Sequence, residues 1–197
     1  RPLDFVAVTD HAEYLGQARL TALDLPTTRD PLPELLKDGR VWEITLAWLE
    51  TSRAIREHGF SPNGEAVNRE VNRSAWQETI DAAERHNEPG VFTSFIGYEW
   101  SGDNGDITVH MHRNVIYRNN NVSDRPFSKL DSNRPEDLWL FLQEQNRLGN
   151  VAMAIPHNGN LSQGNMYAPR NSEGEPIDSA YAEMRSAYEP LTEILQI

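Results

Sequence analysis

The sequence has no cysteine. That excludes disulfides, thiolate metal ligands and a cysteine nucleophile. Any metal held by this chain must be bound by histidine, aspartate or glutamate. No stretch approaches the roughly 18 consecutive apolar residues of a membrane-spanning helix. Basic residues are the minority, with 18 Lys plus Arg against 30 Asp plus Glu and a formal charge of −12. A nucleic-acid-binding domain normally presents a basic face, so nucleic acid is not an expected partner. Also missing are an initial methionine and a signal-like segment: the chain opens at Arg1-Pro2 directly on a β-like run. It stops at Leu195-Gln196-Ile197 inside another. The expectation is a fragment of a longer protein, with no oligomeric state implied and a compartment left open, periplasmic or secreted included.

What is present fits one globular domain over residues 1–197, with 38% hydrophobic and 24% charged residues. Residues 3–9 read as a short buried strand that stops at Thr9-Asp10-His11. A loop and short helix over 11–24 and a loop marked by Pro26, Pro31 and Pro33 follow. The apolar spacing of Val41, Ile44, Leu46, Trp48, Leu49 and Ile55 predicts a helix, stopped by His58-Gly59. Pro62-Asn63-Gly64 is a turn, and a long polar helix is predicted from about Glu65 to His86.

Further strands are predicted at Val91–Tyr98, Ile107–Tyr117, Val151–Ile155 and Leu191–Ile197. Helices are expected from Arg134-Pro135 to Arg147 and around 177–188, the first with proline and acids in its opening turn. Strands alternating with helices imply an α/β fold with a largely parallel sheet under helical cover. In such folds the chemistry collects at the carboxyl ends of the strands.

Ionisable side chains recur at those ends. Asp10-His11 follows the first strand, Glu99 the second, and His157 the fourth, while His110 and His112 lie two apart on the third. A period of two puts both of these on one face. Each signal alone has an ordinary reading. Thr-Asp is a common turn and cap sequence, a lone Glu at a strand end is usually solvated, and His-x-His can simply face water. His58 and His86 suit helix C-termini. Trp48, Trp76 and Trp139 read as core, and Glu43, Glu50 and Glu57 as solvated helix faces. The joint pattern is stronger: several histidines and a glutamate at equivalent strand ends form a cage suited to Zn, Mn or Fe, rather than Ca or Mg. Without cysteine, an open catalytic site is favoured over a closed structural one.

The run Asp4-Phe5-Val6-Ala7-Val8-Thr9-Asp10-His11 resembles the strand-then-Thr-Asp-His motif of the PHP superfamily, named for polymerase and histidinol phosphatase domains. Ala154-Ile155-Pro156-His157 resembles its later Pro-His motif. Phe95–Trp100, His112–Val115 and Pro156–Ser162 are similar to one bacterial branch, itself a domain of unknown function found in long proteins. The resemblance covers nearly the whole chain. It implies a distorted (β/α)-type barrel, present here as a partial barrel, with a cluster of two or three metal ions. On this resemblance His11, Glu99, His112 and His157 are ligands, with His110 a weaker neighbour of His112. Asp10 would orient His11, Arg113 would clamp phosphate, and Asn158 and Asn160 would line the mouth. The family's opening His-x-His motif would precede Arg1 and its final Asp-x-His motif would follow Ile197, so the cage is partial. Weak metal binding and an inactive isolated piece are expected.

The function this implies is metal-dependent hydrolysis of a small phosphorylated substrate by activated water. Two rivals stand beside it. One is a metal hydrolase for amides or sulfate esters, since the same activated water serves. The other is a non-enzymatic binding module with a vestigial site, in which Tyr98 and Trp100 stack on a ligand.

Overall fold

A computed structural model describes residues 3–16, 39, 40, 42, 65–106 and 108–196. The chain forms two compact units, Arg1–Glu13 with Glu78–Ile197, and Tyr14–Gln77. The predicted proline loop, all of the Val41–Glu57 helix except Trp42, the His58-Gly59 stop, the turn at residues 62–64, and Ile107 lie outside the described residues.

In the first unit, β1 (Phe5–Ala7) pairs in parallel with β2 (Thr93–Phe95), Phe5 opposite Thr93. A second sheet holds β3 (Gly97–Gly102), β4 (Met111–Tyr117) and β5 (Ala152–Pro156) in that order. Both of its pairings are antiparallel. The fold is therefore mixed α/β, as expected, but the described strands do not close into a barrel. Among the described residues, parallel pairing is confined to β1–β2 and to one bridge, His11 opposite Glu99, that keeps the same register. The reason for the departure is local. A parallel connection needs a crossover of a dozen or more residues, whereas β3 and β4 are joined by a tight polar turn. There the Asp103 carboxylate accepts from the Gly105 N–H, and that of Asp106 accepts from the N–H and hydroxyl of Thr108. These bonds hold Asp103–Asp106 and Thr108 in a turn, and β4 begins at Met111.

The second predicted strand also differs. It breaks at Ile96 into β2 and β3 and runs past Glu99 to Gly102. Gly97 sits where two backbones crowd: a Cβ there would lie 2.8 Å from the Val115 carbonyl and 3.2 Å from Thr9 Cγ2. The predicted last strand does not form over residues 191–196. That segment is tied back instead, Glu193 N–H donating to the Pro156 carbonyl at 2.9 Å.

Strand alternation separates two faces. Tyr98, Trp100, Arg113, Val115, Tyr117 and Ala154 point to one face and are buried. Two helices cover it, α2 (Pro135–Arg147) and α3 (Ser179–Tyr188). The long helix before them, α1 (Glu65–His86), forms where it was predicted. α2 starts with Pro135 and two acids and ends before Gly149, whose φ is +91°, as helix-boundary chemistry requires. Its Leu138, Trp139 and Leu142 are buried, each stabilising the fold by about 1.5–3 kcal/mol through lost water contact. The Asp178 carboxylate accepts from the Tyr181 N–H to cap α3. In the second unit, Ala75 and Trp76 of α1 are buried and Gly16, at φ +80°, packs against Val71. No helix among the described residues is long and apolar enough to cross a membrane.

Candidate metal centre

The opposite face of β3–β4–β5 carries the polar cluster. Register puts Glu99 opposite Asn114 and Ser101 opposite His112. His157 extends β5 by one residue, its N–H donating to the His112 carbonyl at 3.1 Å. His11 lies opposite Glu99 on the other side. Because β4 is antiparallel, its beginning meets the ends of its neighbours. That is how His112, two residues into its strand, comes beside His157 at the end of β5, while Glu99 reaches it from within β3.

Glu99 is the centre of convergence. Its Oε1 lies 2.8 Å from His112 Nδ1 and 3.6 Å from His11 Nδ1, and its Oε2 lies 3.4 Å from His157 Nε2. The Ser101 hydroxyl donates to Oε1 at 2.9 Å. Burial pushes the Glu99 carboxyl up, but the hydrogen bonds from His112 and His157 and the charge of His11 outweigh it and hold it well below the usual carboxylate range. Donor atoms of Glu99, His112 and His157 all lie within 4.8 Å of one another, a group that can hold a metal ion. Ligands bound to one transition ion at about 2.0–2.2 Å stand roughly 3–3.5 Å apart; the 3.4 Å between Glu99 and His157 lies in that range, and the 2.8 Å between Glu99 and His112 is a direct contact that an ion would open slightly. Asn158 Oδ1 and His157 Nδ1, the ring nitrogen turned away from Glu99, are buried without hydrogen-bond partners, polar atoms that an ordered water would satisfy.

Most of the predicted ligands are thus brought together. His11 is in contact with Glu99, but its Nδ1 is also engaged by Ser101 and Glu13. Burial lowers its pKa, while Glu13 and Glu99 raise it by more, leaving a ring more readily charged than usual. His110 reaches only the rim, its ring 5.0 Å from that of His112. Burial and the neighbouring His112 keep its pKa low. Asn158 is buried, at φ +65°, with its amide nitrogen 3.2 Å from His112 Nδ1.

Three predicted residues are elsewhere. Arg113 follows His112 by one residue and so points to the opposite face. It is 1% exposed and donates to Glu189 Oε1 at 2.9 Å, which rules out reaching a phosphate at this site. Asp10 is exposed, and its contribution is its carbonyl, which accepts from the Glu99 N–H at 2.8 Å. Asn160 is exposed and its amide pairs with the backbone of Gln196. Tyr98 and Trp100 are core residues, which removes them as stacking platforms.

The structure adds residues that sequence reasoning missed. Ser101 joins Glu99 to His11. Glu13, in the 3-10 turn Ala12–Tyr14, is buried with its Oε1 3.5 Å from His11 Nδ1 and 3.6 Å from Lys129 Nζ. Lys129 in turn pairs with Asp103 at 3.1 Å. A readable signal existed for Ser101: it lies two residues from Glu99 on a strand and so must share its face. No curated protein and no solved structure matches the chain. A family profile covers all of it, and the chain, residues 1–197, belongs to the family described as "Protein of unknown function (DUF3604)".

Proposed function

We propose that this chain carries the metal site of a metal-dependent hydrolase acting on phosphoesters, and that its strands form part of a PHP-type barrel. The observation that carries the proposal is the company kept by Glu99. Among the described residues its ion-pair partners are all imidazoles. An imidazole is not a permanent cation, because its charge depends on pH. A part-buried carboxylate ringed by imidazoles has no permanent cation to balance it, and a divalent ion would supply that charge.

Glu99, His112 and His157 would hold the ion, with His11 beside them. This mixed N/O set suits Zn, Mn or Fe. When bound, such an ion supplies Lewis acidity, bringing the pKa of water towards neutral and offsetting negative charge on the reacting oxygens. The chain's own residues orient the donors. Ser101 holds Glu99 and His11 in place, Asn158 lies against His112, and the β4–β5 ladder sets His157 beside His112. With Arg113 turned to the core and Lys129 tied to acids, attraction of an anionic substrate rests on the ion's charge.

The test is a substrate panel with the full-length protein, reconstituted with metal: phosphomonoesters, phosphodiesters, sulfate esters and amides. Turnover of phosphoesters, lost in His11→Ala and His157→Ala with the circular dichroism spectrum retained, is expected. Turnover of sulfate esters or amides alone would overturn the phosphoester reading, and absence of both turnover and metal would favour a binding module.

A further inference from the structure

Three oxygens crowd one nitrogen of His11. Ser101 Oγ stands 2.6 Å from Nδ1, Glu13 Oε1 3.5 Å and Glu99 Oε1 3.6 Å. The roles follow from counting protons. An ionised carboxylate can only accept, and a serine hydroxyl has one proton to give. Ser101 gives its proton to Glu99 Oε1, 2.9 Å away. Its contact with His11 must then be one in which the serine oxygen accepts, so the proton sits on His11 Nδ1. Glu13, which also only accepts, faces the same nitrogen and demands the same arrangement. We propose that Ser101 and Glu13 are positioning residues that fix His11 as its Nδ1–H tautomer, which makes Nε2 the nitrogen that carries the ring's lone pair.

Glu13 is built for this task. Its side chain is 0% exposed, and both carboxylate oxygens are buried without a hydrogen bond of normal geometry. A buried carboxylate is costly unless a cation balances it. Lys129, 3.6 Å from Glu13 Oε1 and anchored at 3.1 Å by Asp103, provides the balance without requiring a metal. The orienting role expected of Asp10, which precedes His11 and is exposed, is thereby filled from two residues after it. His112 contrasts with His11. There Nδ1 faces Glu99 at 2.8 Å with the Asn158 amide nitrogen at 3.2 Å, so the two rings address the same carboxylate under different constraints.

The connection to metal chemistry rests on the reading of Glu99, His112 and His157 as ligands, but the tautomer does not. Histidine-labelled, chelator-treated protein is examined by long-range proton–nitrogen correlation at about pH 9, well above the ordinary imidazole value near 6.5. The wild type is expected to show the Nδ1–H pattern for His11, assigned by its loss in His11→Gln. Ser101→Ala and Glu13→Gln are expected to shift the ring toward Nε2–H, and Ser101→Thr to retain the wild-type pattern. An Nε2–H pattern in the wild type, or an unchanged ring in both variants, overturns the proposal. Should Glu13→Gln fail to fold, the wild-type pattern and Ser101→Ala decide. Zinc titration of the same samples separates the two ideas. A wild type without zinc affinity removes the metal reading while the tautomer result stands. A drop of about 10- to 100-fold in both variants, typical for groups behind a ligand, ties the device to the site.

Discussion

Two part- or fully buried carboxylates sit on opposite faces of the same three-stranded sheet, and their partners differ in kind. Glu189 accepts from Arg113 Nε at 2.9 Å and from Trp139 Nε1 at 2.8 Å, with Arg185 Nε at 3.1 Å from its second oxygen. Guanidinium groups are always charged. Its negative charge is balanced from within, and the cluster binds β4, α2 and α3 together. Glu99 faces imidazoles, whose charge depends on pH, and it lies on the more open face. The lesson is that burial alone does not mark a site. A carboxylate met by permanent cations is architecture, whereas one met by donors whose charge depends on pH leaves room for a cation from outside.

The largest expected effect comes from breaking the architectural side. Glu189→Ala leaves two guanidinium groups facing an emptied pocket and should cost about 3–5 kcal/mol in a urea titration, with or without metal. The counterpart on the open face, Glu99→Gln, should cost less metal-free stability than Glu189→Ala, because its imidazole partners, unlike guanidinium groups, can lose their charge. Its zinc affinity should fall by about 100-fold or more, beyond what loss of a supporting residue does, as read by competition with a chromophoric chelator. If both variants lost only stability, the distinction between the two carboxylates would collapse. A sharper form replaces the Arg113–Glu189 pair by Met and Leu together. The double variant should recover most of what Glu189→Ala loses, because a buried ion pair is often matched by well-packed apolar groups.

The smallest effect is on pH. His11 is pushed above its ordinary value, so its contribution to stability is complete below about 6.5 and is lost as pH rises through its folded pKa. Glu99, pushed down, contributes above about 4.3 and loses that contribution only as pH falls through its lower folded pKa. His110 is pushed down and works against His11, weakening the fold as pH drops through about 6.5. The thermal midpoint of the metal-free protein should therefore decline modestly from about pH 6 to pH 8. His110→Gln should steepen that decline, and added zinc should reverse it, since protons and metal compete for the same rings.

How far the sequence could be read follows from the same parity. Helix α1 was legible from its polar run and flanking turns, and α2 from proline, acids and a closing glycine. His11, Glu99, His112 and His157 were legible as polar residues interrupting apolar runs. The hand of pairing was not, because alternating helices and strands imply crossovers and the Asp103–Thr108 turn makes a direct return. Arg113 and Asp10 were placed in the site by the resemblance, though each is one residue from a predicted ligand, and for Arg113 strand alternation sends such a neighbour to the other side. Glu13 was not legible, since a 3-10 turn directs its carboxylate back towards His11.

The central claim is tested most directly by titrating the metal-free protein with cobalt(II) and following visible absorption, with Glu99→Gln and His157→Ala as controls. One saturating, zinc-displaceable signal in the wild type that is lost in both variants is the result expected. A featureless titration, or a signal that survives both substitutions, would contradict a metal site built on Glu99, His112 and His157.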